Sequence, residues 1–356
     1  MTPVSPAPAR HRAASAWDHL VDASPAGTFY QLEAWVTIKA ATGWSATRWP
    51  PEDNASSPGL AAHVLLARRR PLPWAFAYGP RAPFGAELGP AAVERFTAAL
   101  RGALRGQRVA VIRIDPEIEA GGPLDPGGGF VRALETAGWR PAAPVQRPDT
   151  WLLDLRPDEA QLWRDVRPKW KQYVNRGRAH GVVVREAGRE GLPNFHRLLV
   201  GTADRLGFVA RPLSTFDRMW DAFAVDDRVS LLFAVSTAGE PIAALFLVRC
   251  GGRISEPWGG SASLAGELHA NHLLKWESIV RARAAGALEY DMCGLVNPGI
   301  TNFKSGFGGR AVRYIGAWDL VLDRLGAAAW RAGRAASVVA ARLGRRAAAT
   351  GAEGDA

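Results

Sequence analysis

Apolar residues recur along the chain in two rhythms, one with helical spacing and one alternating with polar residues. The helical spacing predicts helices over Ala16–Ala23, Leu32–Thr42, Pro90–Gly106 and Phe130–Gly138. Alternating or continuously apolar runs predict strands at Ala46–Trp49, His63–Arg69 and Val109–Ile114. Between them, 50–59 is a turn-rich hairpin loop, and Pro71–Gly85 reads as an ordered loop or irregular strand. Asp115-Pro116-Glu117 carries the signature of a helix start, with Asp at the N-cap and Pro at the first position.

After a connector at Pro141–Asp149 the same order of elements returns. A strand at Thr150–Leu155 leads to a long basic helix over Asp158–His180, which Pro168 restarts, and a strand at Val182–Glu186. Helices at Leu192–Leu206 and Thr215–Ala224 precede a hairpin of Val229–Ser236 and Pro241–Arg249. A strand (Arg253–Trp258), a helix (Ala270–Ala285), a strand (Leu288–Met292), a loop (Asn297–Gly309) and a strand (Tyr314–Leu322) follow. Two copies of one α+β unit with mixed sheets account for this repetition. The unit boundaries are expected at 16–149 and 150–319, with 1–15 and 347–356 disordered.

Composition fits a globular protein: of 356 residues, 47% are hydrophobic and 22% charged. No segment reaches the roughly 20 apolar residues of a membrane span, and the start has no signal-like apolar region. A cytoplasmic protein is therefore expected, with at most a peripheral contact with the inner membrane face. Two cysteines, Cys250 and Cys293, exclude a disulfide scaffold and a Cys-rich zinc site. No metal is expected, because the histidines lack ligand spacing with a third donor, and no cofactor is expected, because neither a Walker A nor a GxGxxG loop is present. The net charge of +10 suggests a polyanionic partner or an Arg-rich solvated surface.

Lysine is scarce, at positions 39, 169, 171, 275 and 304, which makes its placement informative. Lys304 follows Phe303 inside Gly299–Gly309, a glycine-rich stretch suited to cradling an anion. A lysine there supplies a point charge for a phosphate or a developing oxyanion, or else it is a solvated loop residue. The segment 164–178 holds six basic residues and one acid; Trp170, Val174 and Gly177 form one face, bordered by Lys169 and Arg176 on one side and Lys171 and Arg178 on the other. That pattern suits phosphates or solvent. Arg211 follows a helix end, where a guanidinium grips a phosphate or carboxylate.

Taken as a set, these pieces resemble the FemABX family of aminoacyl-tRNA-dependent peptidoglycan peptidyltransferases, in its compact FemX-like type. The resemblance rests on Tyr30-Gln-Leu-Glu-Ala-Trp-Val-Thr-Ile-Lys39 with Gly43-Trp44, Tyr78-Gly-Pro-Arg81 and Ile112-Arg-Ile-Asp-Pro116. It continues through Phe208-Val-Ala-Arg211, Trp258-Gly-Gly-Ser261, Leu273-Leu-Lys-Trp276 and Phe303-Lys-Ser-Gly-Phe-Gly-Gly309. It implies two tandem acetyltransferase-like (GNAT) domains without a long helical arm, with residues 320–346 packing back on the first. It implies a transferase that moves an amino acid from aminoacyl-tRNA to a UDP-MurNAc-peptide or lipid II precursor. Lys39 and Arg211 would hold the precursor's phosphates, with Tyr78, Arg81 and Trp258 nearby. Phe303 and Lys304 would lie at the aminoacyl-tRNA end, and Asp115 would correspond to the family's aspartate, either catalytic or a helix cap. The basic segment (Lys169, Lys171, Arg176, Arg178) and the tail arginines 324, 331, 334, 342, 345 and 346 would face the tRNA acceptor arm, the tail alternatively anionic lipid. Two rivals are an acyl-CoA-dependent acetyltransferase, whose Q/R-x-x-G-x-G/A loop is not evident, and a non-catalytic RNA-binding protein. A third variant keeps the tRNA-dependent chemistry but moves the acceptor to a small metabolite or peptide natural product.

Overall fold

The computed structural model describes residues 15–50, 59–68, 71–85 and 87–333. The expected lead, the 50–59 loop apart from its ends, and the tail arginines from 334 onward lie outside the described residues.

The first half begins with helices α1 (Ala16–Ala23) and α2 (Glu33–Ala40). Strands β1 (Ser45–Trp49), β2 (Ala62–Arg68) and β3 (Ala75–Gly79) follow, then α3 (Pro90–Ala103), β4 (Val109–Ile114), α4 (Gly129–Thr136) and the short β5 (Arg140–Ala142). The second half runs β6 (Asp149–Asp154), α5 (Glu159–Asp165), α6 (Pro168–Ala179), β7 (Val183–Ala187), α7 (Leu192–Leu206) and α8 (Leu213–Phe223). It continues with β8 (Val229–Val235), β9 (Pro241–Cys250), β10 (Arg253–Ser261), α9 (Leu264–Glu267), α10 (Ala270–Ala284), β11 (Glu289–Gly294), α11 (Pro298–Ser305) and β12 (Arg310–Arg313). The last strand, β13 (Ala317–Val321), crosses back to the first half.

Local chemistry explains most of these boundaries. The Ser15 side chain caps α1 by accepting from the Asp18 N–H at 3.1 Å. Helix α7 buries Leu192, Phe195, Leu198, Leu199 and Ala203 on one face and stops at Gly207, whose left-handed φ of 70° closes the C-terminus. The long basic helix divides into α5 and α6, because Val166 and Arg167 are extended ahead of Pro168.

The fold is α+β, with two tandem mixed sheets and no helix longer than 15 residues among the described residues. One sheet has the order β1-β2-β3-β4-β13-β5 and the other β12-β6-β11-β10-β9-β8-β7. Each contains one parallel pair, β3 with β4 and β10 with β11, and is otherwise antiparallel. Aligning the two parallel pairs superposes the strand orders, so the sequence repetition corresponds to a repeated sheet plan. The expected strand Tyr314–Leu322 starts later, at Ala317, because Tyr314 still bridges Glu119 and Gly316 turns the chain at a φ of 80°.

Three apolar clusters hold the layers. One packs α3 and α4 on the first sheet, and another packs α6 and α10 on the second. The third joins the halves: Trp17, Leu32 and Trp35 from α1 and α2 meet Phe195, Phe216 and Phe223 of α7 and α8. A bidentate ion pair reinforces this junction. Arg228 Nη1 and Nη2 donate to the Asp22 carboxylate at 2.8 and 2.7 Å, and Gly251 N–H adds a third bond at 2.6 Å. Burial pushes the Asp22 carboxyl up, but Arg228 and the amide outweigh it and hold it below its ordinary value. The pair's contribution is therefore complete above the unfolded carboxylate value of about 3.9 and is lost as pH falls through the lower folded value. Asp22→Asn is expected to cost about 2 kcal/mol and to flatten the acid limb of stability in urea titrations at pH 2–6; an unchanged limb would contradict this.

Candidate active site

The two parallel strand pairs end differently, and this difference creates the site. In the second sheet β10 and β11 pair only from Arg253–Ser255 and Glu289–Asp291. Beyond that point β10 shifts register against β9 between Ser255 and Trp258, and β11 shifts against β6 between Asp291 and Gly294. Pro257 has no N–H to offer a neighbour, and Cys293 adopts a left-handed φ of 58°, so the strands separate. In the first sheet the matching gap beyond Gly79 and Ile114 is plugged. There the Asp115 carboxylate accepts from Tyr78 Oη at 2.8 Å, Arg81 N–H at 2.7 Å and Gln146 N–H at 3.2 Å.

The open gap carries two cavities that share part of their lining. A cleft of about 800 Å³ runs along Lys304, Phe303, Glu256 and Asn271. A smaller chamber of about 190 Å³ is bounded by Tyr30, Arg81, Glu117, Asp291 and Arg211. Arg147, Pro257, Trp258, Cys293 and Gly294 line both.

Lys304 lines the large cleft beside these shared residues. Its segment is not the expected glycine loop but helix α11, begun by Asn297, whose Oδ1 accepts from Ile300 N–H at 2.9 Å ahead of Pro298. The glycines serve packing. A Cβ at Gly306 would lie 2.3 Å from Trp170 Nε1, which donates to Phe303 O at 2.9 Å. Lys304 Nζ donates to Cys293 O at 3.0 Å and Gly294 O at 2.8 Å. An ammonium has three protons, so one is left for the cleft. The side chain is only 9% exposed, and burial lowers its pKa, opposed by the charge of Glu256.

Lys39, in the last turn of α2, lies over the rings of Trp44 (5.1 Å) and Trp35 (5.9 Å). Burial and the neighbouring charge of Arg211 both lower its pKa. Arg211 lines the chamber, and neither it nor Lys39 has an acidic partner among the described residues, which leaves a place for an anion near the two cations. Trp258 separates chamber from cleft, held edge-on by Phe216 at 5.6 Å and Phe246 at 5.8 Å.

Other expected residues are placed differently. Asp115 caps no helix; its segment is neither helix nor strand, its carboxylate is buried against Arg81 N–H, and burial raises its pKa. Tyr78 is committed to Asp115 and lines neither cavity. Arg81 reaches the chamber, with Nε 3.1 Å from Glu117 and Nη2 donating to Arg147 O at 2.9 Å. On α6, Arg178 pairs with Glu277 at 2.9 Å and Lys171 donates to Arg164 O at 3.0 Å. Lys169 lies over the Tyr173 ring at 5.7 Å, and neither it nor Arg176 has an acidic partner among the described residues.

The structure adds residues that were not singled out as site residues. Glu117 bridges Arg81 and Arg253, and Arg253 also binds Glu289 at 2.6 Å, linking the two halves under the chamber. Asp291 accepts from Thr150 Oγ1 and, at 2.7 Å, from Cys293 N–H, both at Oδ1. Lys275, buried on α10, pairs with Glu256. A lysine within the otherwise apolar Leu273–Trp276 run was the one sequence signal for this pair.

The fold and site define a tandem α+β protein with one sheet opened into a cationic cleft and the other sealed. The chain belongs to the FemAB family, whose model matches residues 13–238 and 235–332. It is 25% identical over 233 residues to the lipid II:glycine glycyltransferase of Staphylococcus haemolyticus, covering 63% of this chain and 54% of that one. The Staphylococcus aureus (strain MRSA252) protein of the same name is 25% identical over 234 residues, with 64% and 54% covered. The chain thus spans about half the length of these relatives. The crystal structure of FemX shares the fold at a TM-score of 0.79 and 19% identity, over 88% of this chain and 97% of that one. Among the described residues no helix is long and apolar enough to cross a membrane.

Proposed function

We propose that this chain is an aminoacyltransferase that moves an amino acid from aminoacyl-tRNA to the stem-peptide amine of a peptidoglycan precursor, as in interpeptide bridge formation. The observation that carries this reading is the buried Lys304 ammonium on the large cleft, bonded to the carbonyls of two residues that also line a smaller chamber bordered by Arg211. The names of the staphylococcal relatives favour lipid II as the acceptor.

In this reading Lys39 and Arg211 take the precursor's phosphates, and the acceptor amine enters the small chamber. The donor ester lies in the large cleft, with Lys169 and Arg176 toward the tRNA backbone. An aminoacyl ester is already activated, so the protein's task is to bring a neutral amine onto its carbonyl. An alkyl ammonium has a pKa of about 10.4, so a proton must leave. Asp291 Oδ2 has no protein partner among the described residues and accepts that proton. Lys304 faces the negative charge that develops on the carbonyl oxygen or the terminal phosphate.

The test offers charged tRNA pools with either UDP-linked or lipid-linked precursor and reads ligated products by mass spectrometry. A product one aminoacyl residue heavier than the precursor is expected; a complete lack of product with both acceptors would defeat the reading. Arg211→Met is expected to raise KM for a phosphate-bearing acceptor roughly 10- to 100-fold while leaving use of the bare stem peptide unchanged. Asp291→Asn is expected to lower kcat at least about 100-fold with little change in KM. Normal kcat in that variant would remove Asp291 from proton transfer.

A further inference from the structure

Among the residues lining the large cleft, Glu256 is the one acidic side chain, whereas Arg147, Lys275 and Lys304 are cationic. Its two oxygens are used unequally. Oε2 takes both protein donors, Lys275 Nζ and, at 2.7 Å, Tyr290 Oη. Oε1 has no protein partner among the described residues, and the side chain keeps about a tenth of its surface exposed at the cleft.

The surroundings fix this arrangement. Lys275 is 2% exposed and its ammonium is paired with Glu256, so it holds that carboxylate in place rather than meeting a ligand itself. Ser278 Oγ bonds Tyr290 Oη at 2.9 Å and aims the hydroxyl. Carboxylate, lysine and tyrosine therefore form a rigid receptor with one anionic oxygen turned toward a cleft whose other charges are positive. Such an oxygen binds a cationic ligand group more strongly than a neutral hydrogen-bond donor.

We propose that Glu256 Oε1 receives the α-ammonium of the aminoacyl donor, and that the protein thereby selects donors with a free α-amine over N-acylated ones. This rests on the aminoacyl-tRNA reading above. An α-amino group is the one cation that every aminoacyl ester carries, one carbon from the reacting carbonyl. Its ordinary pKa of about 7.7–8.0 leaves it largely protonated at neutral pH, and a carboxylate partner holds it so. The geometry gives Lys304 and Glu256 separate tasks: Lys304 addresses the carbonyl or phosphate, and Glu256 the nitrogen. Lys275 and Tyr290 are positioning residues for Glu256. Acetylation removes the positive charge, leaves a single N–H and adds bulk against Oε1, which penalises a capped donor.

The test measures binding, so it does not depend on turnover. The probes are two RNA minihelices ending in 3′-amino-3′-deoxyadenosine, one glycylated through a stable amide and the other carrying N-acetylglycine at the same position. Glycine has no side-chain cation, so any preference belongs to the α-amine. Wild-type protein is expected to bind the free-amine probe about 30-fold more tightly. In Glu256→Gln/Lys275→Met, which removes both members of the buried pair and strands neither charge, the preference should fall to about threefold or less. Affinity for the acetylated probe should stay the same, and a thermal melt shows that the variant is folded. The proposal is overturned if the double variant keeps the preference, if it loses both probes, or if wild type binds both alike. Wild type that binds neither probe would instead defeat the tRNA-donor reading itself.

Discussion

Lys304→Met is expected to reduce aminoacyl transfer at least about 1,000-fold in kcat while the protein remains folded. Methionine fills nearly the same volume and removes only the ammonium. What is lost is a nearly buried positive charge, held in place by two carbonyls before the reaction begins, where it is screened less than in water. Such a charge has more effect on a developing oxyanion than on a neutral ester, so the loss falls on kcat. Stability responds much less. The carbonyls of Cys293 and Gly294 lose a donor, at about 1–3 kcal/mol, but a charge whose burial lowered its pKa is also removed. Single-turnover transfer together with a melting curve checks both halves. Near-normal turnover in the folded variant would exclude Lys304 from the chemistry.

Glu117→Gln is expected to lower the free energy of unfolding by about 3 kcal/mol or more, read as a fall in the urea midpoint. Glu117 is buried between Arg81 of the first half and Arg253 of the second. The amide is isosteric, but it removes the charge that Arg81 needs. Arg253 keeps Glu289, whereas Arg81 loses its ion pair, stays buried and is left with only the more remote charge of Asp115. The loss should appear as easier separation of the halves, because these residues tie one sheet to the other beneath the chamber. A midpoint within error of wild type would contradict that assignment.

Much of the architecture is legible locally. Helix α1, helix α7 and strand β4 have the bounds their periodicity predicts, and Pro168 opens α6 as its chemistry requires. The misreadings share one cause, the replacement of a local preference by a distant partner. Asp115-Pro116-Glu117 has the composition of a helix start, yet Tyr78, Arg81 and Gln146 claim the aspartate and two arginines claim the glutamate. Pro71–Gly85 hides β3, all five residues of which are buried in the first sheet, because flanking prolines and glycines mask its pattern. The Asn297–Gly309 stretch was dominated by its glycines, although Asn297-Pro298 is a sound cap signature and α11 begins there.

The site was legible in part for the same reason. Lys304 stood out because lysine is rare, and Lys39 and Arg211, distant in sequence, do come close enough for each charge to act on the other. Glu256, Asp291 and the Arg81–Glu117–Arg253 chain carry no local motif. Their meaning depends on where β10 and β11 part, and that separation needs both strands and their neighbours in place.

The central claim is that the acyl group comes from tRNA and is delivered beside Lys304. Its most direct test supplies purified protein with lipid II and a tRNA pool charged with labelled amino acids, in parallel with the same pool digested by ribonuclease and with acyl-CoA in place of tRNA. Label is expected to pass to lipid II only from intact charged tRNA, and not in the Lys304→Met protein. Transfer that survives digestion, or that proceeds from acyl-CoA, would contradict the account.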